Sequence, residues 1–313
     1  MNKHSRREFV VRSAAAAGML TFGADRLFAQ AAGAEKADMT IARWTGAKEL
    51  DSKQFQEAAV KLTEKAIEAL GGMKRFVSNG STIWIKPNIA WDGKPESAAN
   101  TNPDVVATLI RLCLEAGAKK VKVGDNPCQV AAKTYESSGI AAAAKAAGAE
   151  VLFLDTTRFR EMELKGERLK AIPVCPEVVE CDLVINVPVA KHHQLCKMTA
   201  CMKNYMGVVD KRQTFHQDIP TCLADITRFM KPQLCVLDAM RILTAHGPRG
   251  GKLEDVQVKT TIAAGVDIVA LDALGAELLG HKPTDIGFIV KGAEVGLGKI
   301  DYRSLALREL AVA

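Results

Sequence analysis

The chain is predicted to be an α/β protein built from βαβ units on a mostly parallel sheet, with helices on both faces. Three observations predict it. Short apolar runs recur along the sequence at 83–85, 121–123, 151–154, 183–185 and 234–237. Amphipathic segments of helical length stand between several of them. Apart from 121–123, which Lys122 interrupts, the runs are continuously apolar, the pattern of strands covered on both faces.

The first helix is expected over Asp51 to Leu70. Phe55, Ala59, Leu62 and Ala66 make one apolar stripe, Asp51 with Gln54 three residues on is a capping-box pattern, and Gly71-Gly72 ends it. Ser81-Thr82-Ile83-Trp84-Ile85 reads as a buried strand running into Lys86-Pro87-Asn88. Asn102-Pro103 opens a second helix that carries Val106, Leu109, Ile110 and Cys113 inward and closes at Gly117. A strand over Lys120–Gly124, one helix over Ala131–Ala147 and a strand over Glu150–Leu154 follow. Asp182–Asn186 and Leu234–Asp238 are two further strands.

The N-terminus is set apart from this pattern. Ser5-Arg6-Arg7-Glu8-Phe9-Val10 is a twin-arginine box, a short apolar stretch runs from Ala14 to Phe22, and Ala29-Gln30-Ala31 offers a small-x-small cleavage site. Residues 1–31 are therefore expected to be a signal peptide read by the twin-arginine translocase, with the mature protein periplasmic or extracellular. Residues 40–313 make the α/β domain, and a division into two lobes would fall near 155–180 or near 247. No later stretch approaches the roughly 18 apolar residues of a membrane span, so none is expected after cleavage.

Charge and cysteine content narrow the function. The net charge is +6, and the leader, with five basic and two acidic residues, carries half of it. The remainder is too small for a nucleic-acid footprint, which needs a concentrated basic face. The eight cysteines are Cys113, Cys128, Cys175, Cys181, Cys196, Cys201, Cys222 and Cys235. An exported chain permits disulfides, and their connectivity is open. With no C-x-x-C pair, an iron–sulfur cluster is less expected than a divalent metal.

In such sheets ligands lie beyond the carboxyl ends of the strands. Those ends are Lys86-Pro87-Asn88, Gly124-Asp125-Asn126, Asn186-Val187-Pro188 and Asp238. The densest polar segment, Asn186 to His216, adds Lys191, His192, His193, Lys197, Thr199, Lys203, Asn204 and His216, and a Gly-rich loop with Gly250 follows the Asp238 strand. Lysines supply point charge, Asn and Thr directional donors, and Gly-rich turns inward-pointing N–H groups. Lys191, His193, His216 and Lys203 are the candidate catalytic residues. Lys86, Asn88, Asn126, Asn186, Thr199, Asn204 and Gly250 are the candidate substrate contacts. Asp125, His193 and Asp238 are a candidate mixed metal site.

The same residues carry a family resemblance. In order they are Ile85–Asn88, Thr101–Pro103, Val123–Asn126, Asn186–Pro188 with Lys191 and His193, Thr199 with Lys203-Asn204 and Gly207, and His216. Val236–Ala239, Gly247–Gly251 and Asp267–Ala273 complete the set. Over about Ile83 to Gly298 the chain resembles the bacterial and archaeal family catalogued as domain of unknown function 362. Some members append a ferredoxin-like iron–sulfur module, and this chain lacks that cysteine run. The expected function is an enzyme acting on a small anionic substrate with Lys, His and Asp residues, with metal-assisted acid–base chemistry. The alternative is a metal or iron–sulfur module that binds a ligand or passes electrons without turnover.

Overall fold

Local signals account for the first elements of the computed structural model, which describes residues 36–250 and 252–313. The twin-arginine box and cleavage site lie outside the described residues, as does Gly251. After strand β1 (Met39–Trp44), helix α1 covers Ser52–Ala69. Its Asp51 carboxylate accepts from Gln54 N at 2.8 Å while the Gln54 side chain accepts from Asp51 N at 3.0 Å. This capping box satisfies two otherwise unpaired donors and is worth about 1 kcal/mol. Strand β2 (Thr82–Pro87) leads to helix α2 (Pro103–Glu115), whose cap Asn102 accepts from Asp104 N and Val105 N.

Strand β3 (Lys120–Val123) is followed by two short helices, α3 (Ala131–Ser137) and α4 (Ile140–Ala146), where one was expected. The break falls at Gly139, whose φ of 72° takes the chain out of the helix. Strand β4 keeps only Glu150–Val151. It is the sheet's edge, and Phe153 beyond it is exposed. A hairpin of β5 (Arg160–Glu163) and β6 (Ala171–Val174) forms its own two-stranded sheet before the short helix α5 (Pro176–Val179).

The second half of the sheet begins with β7 (Leu183–Val187), which passes through Pro188 into β8 (Val189–His193) and its partner β9 (Lys197–Thr199). Helices α6 (Cys201–Asn204) and α7 (Ile219–Met230) follow, then the long strands β10 (Leu234–Leu243) and β11 (Val256–Gly265). Helices α8 (Ile268–Leu278) and α9 (Gly287–Glu294) and strand β12 (Leu307–Val312) complete the chain. The strand order is β12-β1-β11-β10-β7-β2-β3-β4, with β8 and β9 continuing beside β10. The β10-β7-β2-β3-β4 stretch is wholly parallel, and antiparallel pairs involve β11 and the β8–β9 hairpin. Residues 36–313 cluster as one compact unit.

Alternation along the strands builds two cores. Ile83, Ile85, Leu183, Ile185, Leu234 and Val236 face the layer that holds Leu62 of α1 and Leu109 of α2. Trp84, Cys235 and Leu237 face the opposite layer, with Met202 of α6, Ile226 of α7 and Leu271 of α8. The period of two residues that sorts these side chains also sorts the polar ones. Lys86 and Asn186 sit opposite each other in the β2–β7 register, on the α6 side of the sheet.

Candidate functional site

The carboxyl ends of β3, β2 and β7 meet α6 at a buried ion pair. Lys86 Nζ donates to Asp125 Oδ1 at 2.7 Å, to the Pro87 carbonyl at 2.9 Å and to Asn204 Oδ1 at 3.1 Å. These three bonds use all three ammonium hydrogens, so Lys86 has none left for a ligand. Burial pulls the Lys86 pKa down and the Asp125 charge opposes that shift. Asp125 Oδ2 accepts from Ile89 N at 2.7 Å and Oδ1 also accepts from Asn126 N at 2.9 Å. Gly207 packs directly on the pair: a Cβ there would overlap Asp125 Oδ1 and lie 2.6 Å from Lys86 Nζ.

Asparagines extend the network upward. Asn204 Nδ2 donates to Asn186 Oδ1 at 2.8 Å and to the Lys86 carbonyl at 3.0 Å, and Asn186 Nδ2 donates to the Cys201 carbonyl. Asn88 Nδ2 donates to Asn204 Oδ1, and Asn88 Oδ1 accepts from Lys191 Nζ at 2.7 Å. The second acceptor for Lys191 is the Ala99 carbonyl. The Asp272 carboxylate caps the backbone N–H groups of Cys201 and Met202, which sets α6 beneath the cavity.

Above this network is a cavity of about 80 Å³ lined by Asn88, Asp125, Asn126, Cys128, Lys191, His193, Thr199, Lys203, Asn204, Arg212 and neighbouring apolar groups. It is far smaller than the several hundred Å³ of pockets that take drug-sized ligands. A larger cavity of about 320 Å³ opens at the other end of β7, beside Asp182 and Leu183, and lysine and histidine do not cluster there. The lysines and His193 cluster at the smaller cavity.

Lys191 is its most unusual member. The side chain is 1 % exposed, and both hydrogen-bond acceptors it meets are neutral. Burial, reinforced by Lys203 and Lys86, lowers its pKa to about 7. A neutral amine there has two hydrogens, both matched by Asn88 Oδ1 and Ala99 O. The third bonding position of its nitrogen has no partner among the described residues. Lys203, half-buried, has its pKa lowered by burial, and among the described residues its ammonium reaches only the Met206 sulfur, at 3.4 Å. Arg212 donates to the carbonyls of Asn126 at 2.9 Å and Pro127 at 2.8 Å and to Cys128 Sγ at 3.4 Å. The cavity therefore faces three basic side chains, and its one carboxylate is already neutralised by Lys86.

His193 has a fixed role in hydrogen bonding. Its Nδ1 accepts from Leu195 N at 3.2 Å, so a neutral ring carries its proton on Nε2. Burial and the charges of Lys203 and Lys191 lower its pKa to about 3. The ring is thus a neutral donor through the physiological range. Histidine NMR should find Nε2 protonated and the ring neutral at pH 6; titration near the ordinary 6.5 would contradict this environment.

Several sequence-predicted residues lie elsewhere. His216 is exposed on the turn after Arg212 and does not line the cavity. Gly250 packs near Leu243 and the Ser97 carbonyl, also off the cavity. Asn186 supports Asn204 from below. Asp238 faces the other side of the sheet, where it accepts from Asn102 N at 2.7 Å and Met240 N at 2.9 Å, and burial raises its pKa to about 6. Asp125, His193 and Asp238 therefore do not converge, and among the described residues no three His, Cys, Asp or Glu side chains form a metal-binding group. All eight cysteines are free thiols in this structure. Arg212 and Trp91 complete the lining without any periodic signal in the sequence to mark them.

An α/β core with a lysine-lined cleft at its strand ends is the class that fold and site define. The chain belongs to the family described as Domain of unknown function (DUF362), whose profile matches residues 83–277. It is 27% identical over 241 residues to the thylakoid-associated protein sll1697 of Synechocystis, which covers 74% of this chain and 73% of that protein. A crystal structure of a Thermotoga maritima protein aligns with a TM-score of 0.36 and 13% identity over 61% of this chain, about half of that chain's length.

Proposed function

We propose that the domain is an acid–base enzyme that binds a small anion, a carboxylate or phosphate, in the cavity at the strand ends. Lys203 and Arg212 hold the charge, the neutral His193 donates from Nε2, and Lys191 exchanges a proton with the ligand. The observation that carries this reading is the environment of Lys191. A buried amine with neutral acceptors costs stability, and such a cost is commonly tolerated where the perturbed group has work to do. A base whose pKa lies near the operating pH is best suited to proton transfer. Asn88, Asn126, Thr199 and Asn204 orient the ligand.

Export through the twin-arginine translocase to the periplasm or beyond is part of the same proposal, supported by the order of box, apolar stretch and cleavage site in residues 1–31. A relative described as thylakoid-associated supports a role tied to a membrane.

Two measurements bear on Lys191. The first is stability against pH. Its pKa is below the unfolded value of 10.5, so the unfolded chain binds more protons between 7 and 10.5, and the contribution to stability rises with pH across that window. Denaturant titrations should show the wild type gaining on Lys191→Met from pH 7 upward, and parallel profiles would contradict the assignment. The second is proton exchange. Small carboxylic acids incubated with the protein in D2O should lose C–H signals by NMR, and Lys191→Met should abolish the loss. Saturable anion binding with no exchange would make the protein a binding module without turnover.

A further inference from the structure

We propose that Cys128 is the covalent nucleophile of this cavity, directed at a small carboxylate that carries an electrophilic carbon; the proposal rests on the anion site above. Cys128 is the one exposed cysteine among the described residues, and it lines the cavity. Its backbone is fixed, with Cys128 N donating to the Ala90 carbonyl at 3.0 Å. Its sulfur accepts from Arg212 Nη1 at 3.4 Å. The other hydrogen bonds of that guanidinium go to the backbone carbonyls of Asn126 and Pro127, so Sγ is its one hydrogen-bond partner, among the described residues, that can become an anion. Such a bond strengthens when the acceptor ionises. Reactive thiols characteristically occupy electropositive, accessible surroundings of this kind.

A second feature points to a ligand beside the thiol. Lys191, wholly buried, lines the cavity with Cys128, and its two hydrogen bonds leave one of the three bonding positions of its nitrogen without a partner among the described residues. In the proposed step the thiol adds across a carbonyl next to the substrate carboxylate. The S–C bond forms, the C=O π pair moves to oxygen, and the thiol proton passes to the Lys191 amine and then to that oxygen. No oxidant or leaving group is needed.

The test compares alkylation of the full-length exported protein by iodoacetate and by iodoacetamide, read at each cysteine by peptide mass mapping. In both reactions sulfur displaces iodide, and the thiol proton goes to base. The reagents differ in one respect: iodoacetate carries the carboxylate. Cys128 should react about tenfold faster with iodoacetate, because focused positive charge raises the local concentration of an anion. Inorganic phosphate should suppress that preference, and Lys203→Met should reduce it. Ready labelling by both reagents at equal, phosphate-insensitive rates would show a reactive thiol without an anion site, and would overturn the underlying reading together with this one. Saturable phosphate binding with Cys128 inert to both reagents would leave the anion site standing and overturn the assignment of Cys128.

Discussion

Replacing Asp125 by Ala is expected to cost about 3–5 kcal/mol of folding stability, because it leaves a buried ammonium without a counter-charge. Lys86 is 0 % exposed and would keep only two neutral acceptors, the Pro87 carbonyl and Asn204 Oδ1. Ile89 N and Asn126 N would lose their carboxylate acceptor in the same change. The denaturant midpoint measures the loss. Removing both charges in a Lys86→Met, Asp125→Leu double variant should recover much of it, since the unpaired charge is the expensive species. A loss under about 1 kcal/mol, the value of a surface pair, would mean that water reaches these groups.

Replacing Lys203 by Met should do the opposite: weaken anion binding strongly and leave stability nearly unchanged. Lys203 is half-buried, its one hydrogen-bond partner is a thioether, and no carboxylate depends on it. A charge-assisted hydrogen bond is worth about 1.5–3 kcal/mol, or roughly ten- to a hundredfold in affinity. Calorimetric titration with inorganic phosphate and denaturation of the same variant separate the two effects. A large fall in stability with unchanged binding would make Lys203 a structural residue.

Much of the first half of the fold was legible because its signals are local. The Asp51–Gln54 capping box, Asn102-Pro103 and the apolar runs at 83–85 and 183–185 each specify an element through neighbouring residues. Strand β1 pairs antiparallel with β11 and parallel with β12, joining residues more than two hundred positions apart, such as Ile41 with Ala263, and no local pattern announces such a partner. The single helix expected over 131–147 broke because Gly139 adopts a conformation that helical periodicity does not reveal.

The candidate site divides in the same way. The dense polar segment 186–216 supplied Lys191, which lines one cavity with Asn88, Asp125 and Asn126; those three came from the rule that ligands lie beyond strand ends. It does not separate the faces of the sheet, and so it grouped Asp238 with residues on the far side. It also makes Lys86 a candidate substrate contact, whereas geometry sets it apart: Lys86 is fully engaged by Asp125 and its neighbours, and Lys191 is not. Arg212 follows Lys211, whose φ is 53°, a local twist that aims the guanidinium at the Asn126–Cys128 loop. Nothing in the residue spacing encodes that twist.

Lys191, Lys203 and Arg212 are proposed to form one small-anion site. The most direct test is a calorimetric titration of the wild type with inorganic phosphate and with small carboxylates, at low and at high salt, repeated on the Lys203→Met and Arg212→Met variants. The expected result is saturable binding at a single site, weakened by salt as charge screening requires and weakened further in each variant. Saturable binding that neither variant alters, or no saturable binding of any small anion, would contradict it.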